Sequence, residues 1–223
     1  MGVCTKLIVV LLKEFVMLRR FLLLSFLFVL SACGGSGSGG STPTPIAGTA
    51  LQAANTVVQS IKDLQGGSGS LSTFTDLFDA DGVRFSPYYH VVSSDLVLTK
   101  ADYEGDFNLQ NPPLKLWGTQ DGSGNPINLN VRDYLSQYVW DYAYDTATVT
   151  QINTSSDFLS QGNLINNMLT FYPPAQYQIV EYHQAGVDPS FAGMDWTSLM
   201  VVLKRMGNNQ WSLAGLVHGS WTI

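Results

Sequence analysis

The last third of the chain leaves the fewest options for folding. Residues 177–183 alternate, with Tyr177, Ile179, Glu181 and His183 on one face and Gln178, Val180 and Tyr182 on the other. Residues 198–205 and 210–218 read as two further strands, and Gly207-Asn208-Asn209 between them is a tight turn. Strands joined so closely pair antiparallel, so this region is expected to be a meander.

The preceding residues carry helical spacing. Leu51, Ala54, Val57, Val58, Ile61 and Leu64 mark one face of a helix over 49–64. A second short helix is expected over 72–78 with Ser72 as its cap. Asp81-Gly82 turns the chain into an extended Val83-Arg84-Phe85, ended by Pro87. Residues 95–99 are β-prone, a short helix fits 101–107, and 114–119 reads as a strand containing Trp117. Asn130 caps a helix whose stripe is Val131, Tyr134, Leu135, Tyr138, Val139 and Tyr142. Helices first and an antiparallel sheet last make an α+β domain.

The N-terminus reads as an address. From Met17 the sequence is MLRRFLLLSFLFVLSAC: a positive pair, an apolar stretch too short to span a bilayer, and small residues before Cys33. Leu30-Ser31-Ala32-Cys33 resembles the lipobox of bacterial lipoproteins, which implies diacylation of Cys33 and cleavage before it. An ordinary secretory signal cut nearby, or an uncleaved anchor, is the competing reading. Met17 is a candidate for the true start. Gly34 follows the cysteine, and in the Gram-negative sorting pattern that this resembles it favours the outer membrane. Residues 1–32 are thus read as a signal peptide, 33–45 as lipidated cysteine and Gly/Ser/Pro tether, and 46–223 as a single domain.

Charge narrows the partners. The chain has 11 basic and 17 acidic residues; four basic and one acidic precede Cys33, which leaves 7 basic, 16 acidic and a net charge of −9. An acidic surface without a Lys/Arg cluster argues against nucleic acid and against electrostatic docking on anionic lipid. Of the two cysteines, Cys4 lies in the leader, so no disulfide and no thiolate zinc site is expected in the domain. No cofactor motif is present.

Two resemblances bear on the domain. Gly82-Val83-Arg84-Phe85-Ser86-Pro87-Tyr88, Trp117-Gly118 with Asp121-Gly122-Ser123-Gly124, Gly162-Asn163-Leu164-Ile165-Asn166-Asn167, Gly193-Met194-Asp195-Trp196 and Gly215-Leu216-Val217-His218 with Trp221-Thr222-Ile223 resemble segments of bacterial lipoproteins of unassigned biochemical role. The order of helices and strands is similar to the cone-shaped fold of ketosteroid isomerase and nuclear transport factor two. That resemblance implies a curved sheet wrapped on a helix, with a pocket; a fold alone does not assign function.

Several residues are candidates for chemistry. Asp195 and His218 are an acid/base pair if they meet in a pocket; structural hydrogen bonding is the competing reading. Glu181 and His183 share a strand face and either line a site or face solvent. Arg84, between apolar neighbours, either pairs with a carboxylate such as Asp195 or Glu181 or grips a ligand. Trp117, Trp196, Trp211 and Trp221 are pocket walls or core. Asp121-Gly122-Ser123-Gly124-Asn125 resembles a calcium loop, but its twelfth position is Arg132, so a glycine turn is expected and no metal. The expected function is a membrane-anchored envelope lipoprotein binding an unknown small molecule or envelope protein. A small pocket enzyme using Asp195 and His218, or a structural envelope role, are the alternatives.

Overall fold

The computed structural model describes residues 44–160 and 166–221. The leader, Cys33 and most of the tether lie outside the described residues, as do residues 161–165 and the last two.

Strand β1 (Ile46–Ala47) leads into helix α1 (Ala50–Gln65). Thr49 and Gln52 form a reciprocal capping box there, which satisfies two amide donors that the first turn leaves open. The face bearing Ala50, Ala53, Ala54, Val57, Val58 and Ile61 is buried, as the spacing requires. Helix α2 spans Leu71–Thr75 and is capped by Ser70 rather than Ser72. The Ser70 hydroxyl accepts from the Thr73 amide at 3.2 Å, so the chain enters the helix two residues earlier than the sequence suggested. Strands β2 (Val83–Ser86) and β3 (Leu96–Leu98) and helix α3 (Lys100–Phe107) follow.

Strands β4 (Lys115–Thr119) and β5 (Pro126–Leu129) form a separate hairpin. Helix α4 (Val131–Tyr134), capped by Asn130, widens at once into a π-turn over Leu135–Val139. The widening ends the helix at Val139, so Tyr142 leaves the stripe and is 40% exposed. Strand β6 (Thr148–Ile152), short helix α5 (Met168–Phe171), and strands β7 (Tyr177–Gln184), β8 (Thr197–Gly207) and β9 (Gln210–Ser220) complete the domain.

Among the described residues the main sheet is curved and has seven strands, in the order β3-β2-β9-β8-β7-β6, with β1 also on β9. The fold is α+β and mostly antiparallel. It departs from a wholly antiparallel sheet at one seam, where β2 runs parallel to β9 and pairs Phe85 with Leu216. The β8–β9 turn carries Asn208 and Asn209 at φ of 50° and 54°. Two left-handed residues suit a hairpin whose strands twist right-handedly, and asparagine adopts that region more readily than most residues.

Both faces of the sheet are covered. Val180, Tyr182, Leu199, Val201 and Leu203 pack under α1 with Phe74, Phe85, Tyr103 and Tyr134. The Tyr182 hydroxyl donates to Asn55 Oδ1 at 2.7 Å, tying β7 to α1. Ile179, Met200, Val202 and Val217 point the other way and are covered by Tyr89, Phe158, Met168 and Trp196. This second layer comes from irregular segments and the one-turn helix α5, which are too short or irregular to carry a periodicity that a sequence reading detects.

Candidate functional site

A cleft of about 950 Å³ opens beside the parallel seam. That is at the upper end of the range typical of small-molecule sites, roughly 300–1,000 Å³. Three pieces of chain line it: the β2–β3 loop from Pro87 to Asp95, the β4–β5 hairpin around Gly118–Gly122, and the end of β9 at Gly219–Trp221.

The first wall is held from below. Arg84 donates through Nη1 to the carbonyls of Val92 (3.2 Å), Ser93 (3.3 Å) and Asp95 (2.8 Å). Its guanidinium lies 5.1 Å from the centre of the Phe171 ring. Asn167 clamps Val91 twice, accepting from its amide at 2.9 Å and donating to its carbonyl at 2.7 Å. Asp95 Oδ2 accepts from Ser86 Oγ at 2.6 Å and from the Val92 amide at 3.0 Å. Such a loop is preorganised, which lowers the ordering cost of binding.

The second wall is a glycine turn closed on itself, with Gln120 N donating to Asn125 O at 2.7 Å and Gly124 N to Gln120 O at 2.9 Å. Tyr88 joins the walls, because its hydroxyl accepts from the Asp121 amide at 3.2 Å. Among the described residues the lining contains the carboxylates of Asp95 and Asp121 and the imidazole of His90, and no Lys or Arg. Asp95 is buried, and that burial pushes its carboxyl above the ordinary value despite the bonds from Ser86 and Val92 and the charge of Arg84.

A second polar cluster lies behind the first wall. Glu181 is fully buried. Its Oε1 accepts from Ser160 Oγ at 2.7 Å, Ser198 Oγ at 3.0 Å, Tyr89 Oη at 3.1 Å and the Ser160 amide at 3.3 Å. Its Oε2 accepts from the Leu159 amide at 2.7 Å. Strand alternation had left solvent as one destination for Glu181; the 153–160 segment and Tyr89 cover it instead. His183 Nδ1 lies 2.8 Å from Ser198 Oγ, and its ring packs 5.8 Å from Trp196. Burial lowers the His183 pKa, against the opposing pull of Glu181. Glu181, His183 and Trp196 therefore do come together.

The other sequence candidates lie apart. Among the described residues Arg84 pairs with neither Asp195 nor Glu181, because three carbonyls take its guanidinium. Trp117 is in the helix-side core, stacked 3.8 Å from Tyr134 with its indole N–H on the Leu129 carbonyl. Trp211 is also core, while Trp221 is 37% exposed and lines the cleft. Asp195 Oδ2 accepts from the amides of Val187 and Asp188, both at 2.9 Å, which staples its own loop and holds its carboxyl below the ordinary value.

His218 sits on the helix side of β9. Its Nδ1 is 3.1 Å from the Pro87 carbonyl, and its Nε2 is 3.2 Å from Asp141 Oδ2 and 3.3 Å from Thr197 Oγ1. Asp141 is held below the ordinary carboxylate value: burial raises it, and the His218 bond and charge with the Tyr144 and Thr197 hydroxyls outweigh that. His218 and Asp195 do not meet, and neither lines the cleft.

Sequence reasoning missed Asp95, Tyr88, Tyr89 and His90. The one available signal was Pro87-Tyr88-Tyr89-His90, an aromatic and polar run in a loop, where binding residues concentrate. Among the described residues no group of three or more His, Cys, Asp or Glu is placed to hold a metal ion. The chain matches no family model, no curated protein and no solved structure.

Proposed function

We propose that the chain is a bacterial lipoprotein whose α+β domain binds a small molecule in the cleft between the β2–β3 loop and the β4–β5 hairpin. The cleft carries the reading: it has ligand-sized volume, a wall held by Arg84 and Asn167, and a mixed aromatic and polar lining. The LSAC segment and the Gly/Ser/Pro tether support anchoring through Cys33 in the cell envelope, with the outer membrane favoured by Gly34. The parallel pairing of an early strand with the last one, and the long helix packed on the sheet, support a cone-shaped fold of the ketosteroid isomerase type. Here the space under the helices is filled by Phe85, Tyr103, Trp117 and Tyr134, and the ligand cleft lies outside that layer. An acid/base role for Asp195 and His218 gains no geometric support, because each is committed to other partners.

Thermal unfolding of the full chain with a library of small polar molecules tests this. A binder stabilises the folded state by mass action. At least one compound is expected to raise the melting temperature, and Thr119→Trp, which fills the cleft from an exposed strand position, is expected to cancel that shift. Stabilisation that survives Thr119→Trp, or none across the library, contradicts the reading.

A further inference from the structure

We propose, resting on the reading of the cleft as a ligand site, that its ligand is a neutral saccharide of two or three rings, held by stacking on Trp221 and by hydroxyl bonds to Asp95. Three observations converge on that class.

The first is charge. Among the described residues two carboxylates and no Lys or Arg line the cleft, in a domain of net charge −9, so phosphates and carboxylates are repelled. A compact cation finds little to hold it either. Asp95 is already faced by the Arg84 guanidinium, which bonds its carbonyl at 2.8 Å.

The second is hydrogen-bonding capacity. Both bonds to the Asp95 carboxyl end on Oδ2, and Oδ1 of this cleft-lining residue takes no hydrogen bond among the described residues and is not enclosed, so a donor in the cleft can reach it. An open carboxyl oxygen at a cleft wall is an acceptor available to a ligand hydroxyl. Thr119, Gln120 and Ser220 line the same space. Carboxyl, amide and hydroxyl groups together match sugar hydroxyls, which donate and accept in turn.

The third is the apolar surface. Trp221 is 37% exposed at the cleft, and Tyr88, half-buried, is fixed across from the glycine turn by its bond to Asp121. Exposed rings beside polar groups offer a face for the C–H side of a sugar ring. The volume, about 950 Å³, accommodates more than one such ring.

The test is isothermal titration of the full chain in a detergent without a sugar headgroup, against maltose, cellobiose and chitobiose, with choline and inorganic phosphate alongside. At least one disaccharide is expected to bind. Trp221→Ala is expected to weaken it by about tenfold or more, a loss typical of a stacking anchor. Asp95→Asn keeps an acceptor for Ser86 and Val92 and is expected to weaken binding by several-fold, with the melting temperature held. Absence of Trp221-dependent disaccharide binding overturns the saccharide assignment. If choline or phosphate then binds, or the thermal library yields a compound blocked by Thr119→Trp, the ligand-site reading stands and the assignment alone falls. If nothing binds, both fall.

Discussion

The Tyr89 hydroxyl donates to Oε1 of the buried Glu181 at 3.1 Å, linking a residue of the cleft wall to the sheet face behind it across 92 positions of sequence. Glu181 accepts four further bonds from Leu159, Ser160 and Ser198. Bonds to a charged acceptor contribute more than neutral ones, and the donors left behind are costly to bury. Glu181→Leu is therefore expected to cost about 3 kcal/mol or more, read as a lower urea midpoint at constant slope. Glu181→Gln, which keeps one acceptor oxygen, is expected to cost less. Equal stability of wild type and Glu181→Leu contradicts the anchoring role.

Gly219 sets the depth of the same wall. A Cβ there falls 1.9 Å from Tyr89 Cε1, so the ring and the glycine cannot both stay if a methyl is added. Gly219→Ala is expected to cost about 1–3 kcal/mol through overpacking. Tyr89→Ala removes the clash, so the double variant is expected to lose less than the sum of the two single variants. Strict additivity in denaturant melts contradicts the contact.

Acid stability follows from carboxylates held ionised. Asp79 is buried, which raises its pKa. Bonds from Lys204 at 2.8 Å and Ser212 at 2.5 Å, and one from the Asp81 amide, outweigh the burial and leave it lowered. Asp141 is lowered in the same sense through His218. For a lowered carboxyl the stabilisation is fully present above the unfolded value, about 3.9, and is lost as pH falls through the folded value. Urea midpoints of the wild type are expected to hold from pH 6 down to about 4 and to fall below that. Asp79→Asn is expected to be less stable at pH 6 and to show a shallower acid slope. An unchanged slope contradicts this linkage.

What the sequence disclosed tracks how locally each feature is encoded. Strands β7–β9, the Asn208-Asn209 turn and α1 rest on alternation, turn residues and helical apolar spacing, all contained within one segment. The β2–β9 parallel seam joins Arg84 to Gly215, over a hundred residues apart, and nothing local announces it. Asp95 looked like the start of a strand, and only the return of Ser86 and Val92 onto its carboxyl makes it a cleft residue. Glu181 and His183 were placed on the right common face, but the cover over them comes from a loop without periodicity. Asp195 and His218 looked like partners because both are polar groups near strand ends; the fold gives each a different set of backbone and side-chain bonds.

Anchoring has its own direct trial in cells. Acylation needs the Cys33 thiol, and two or three chains hold a protein on a membrane where one does not. The wild type is expected to incorporate a fatty-acid analogue and to partition into detergent, and Cys33→Ser is expected to take up no label. A wild type without label, fractionating as Cys33→Ser does, contradicts the lipoprotein reading.

The cleft itself is best tested by fluorine NMR of the full chain labelled with 5-fluorotryptophan, while the disaccharides and the compounds that raise its melting temperature are added in turn. The chain has five tryptophans. Trp117, Trp196 and Trp211 are buried, whereas Trp221 lines the cleft; its resonance is assigned by its loss in Trp221→Phe. Binding in the cleft is expected to move the Trp221 signal and leave those of Trp117 and Trp211 in place. A bound ligand that leaves Trp221 unmoved, or a panel that moves no resonance, contradicts the central claim.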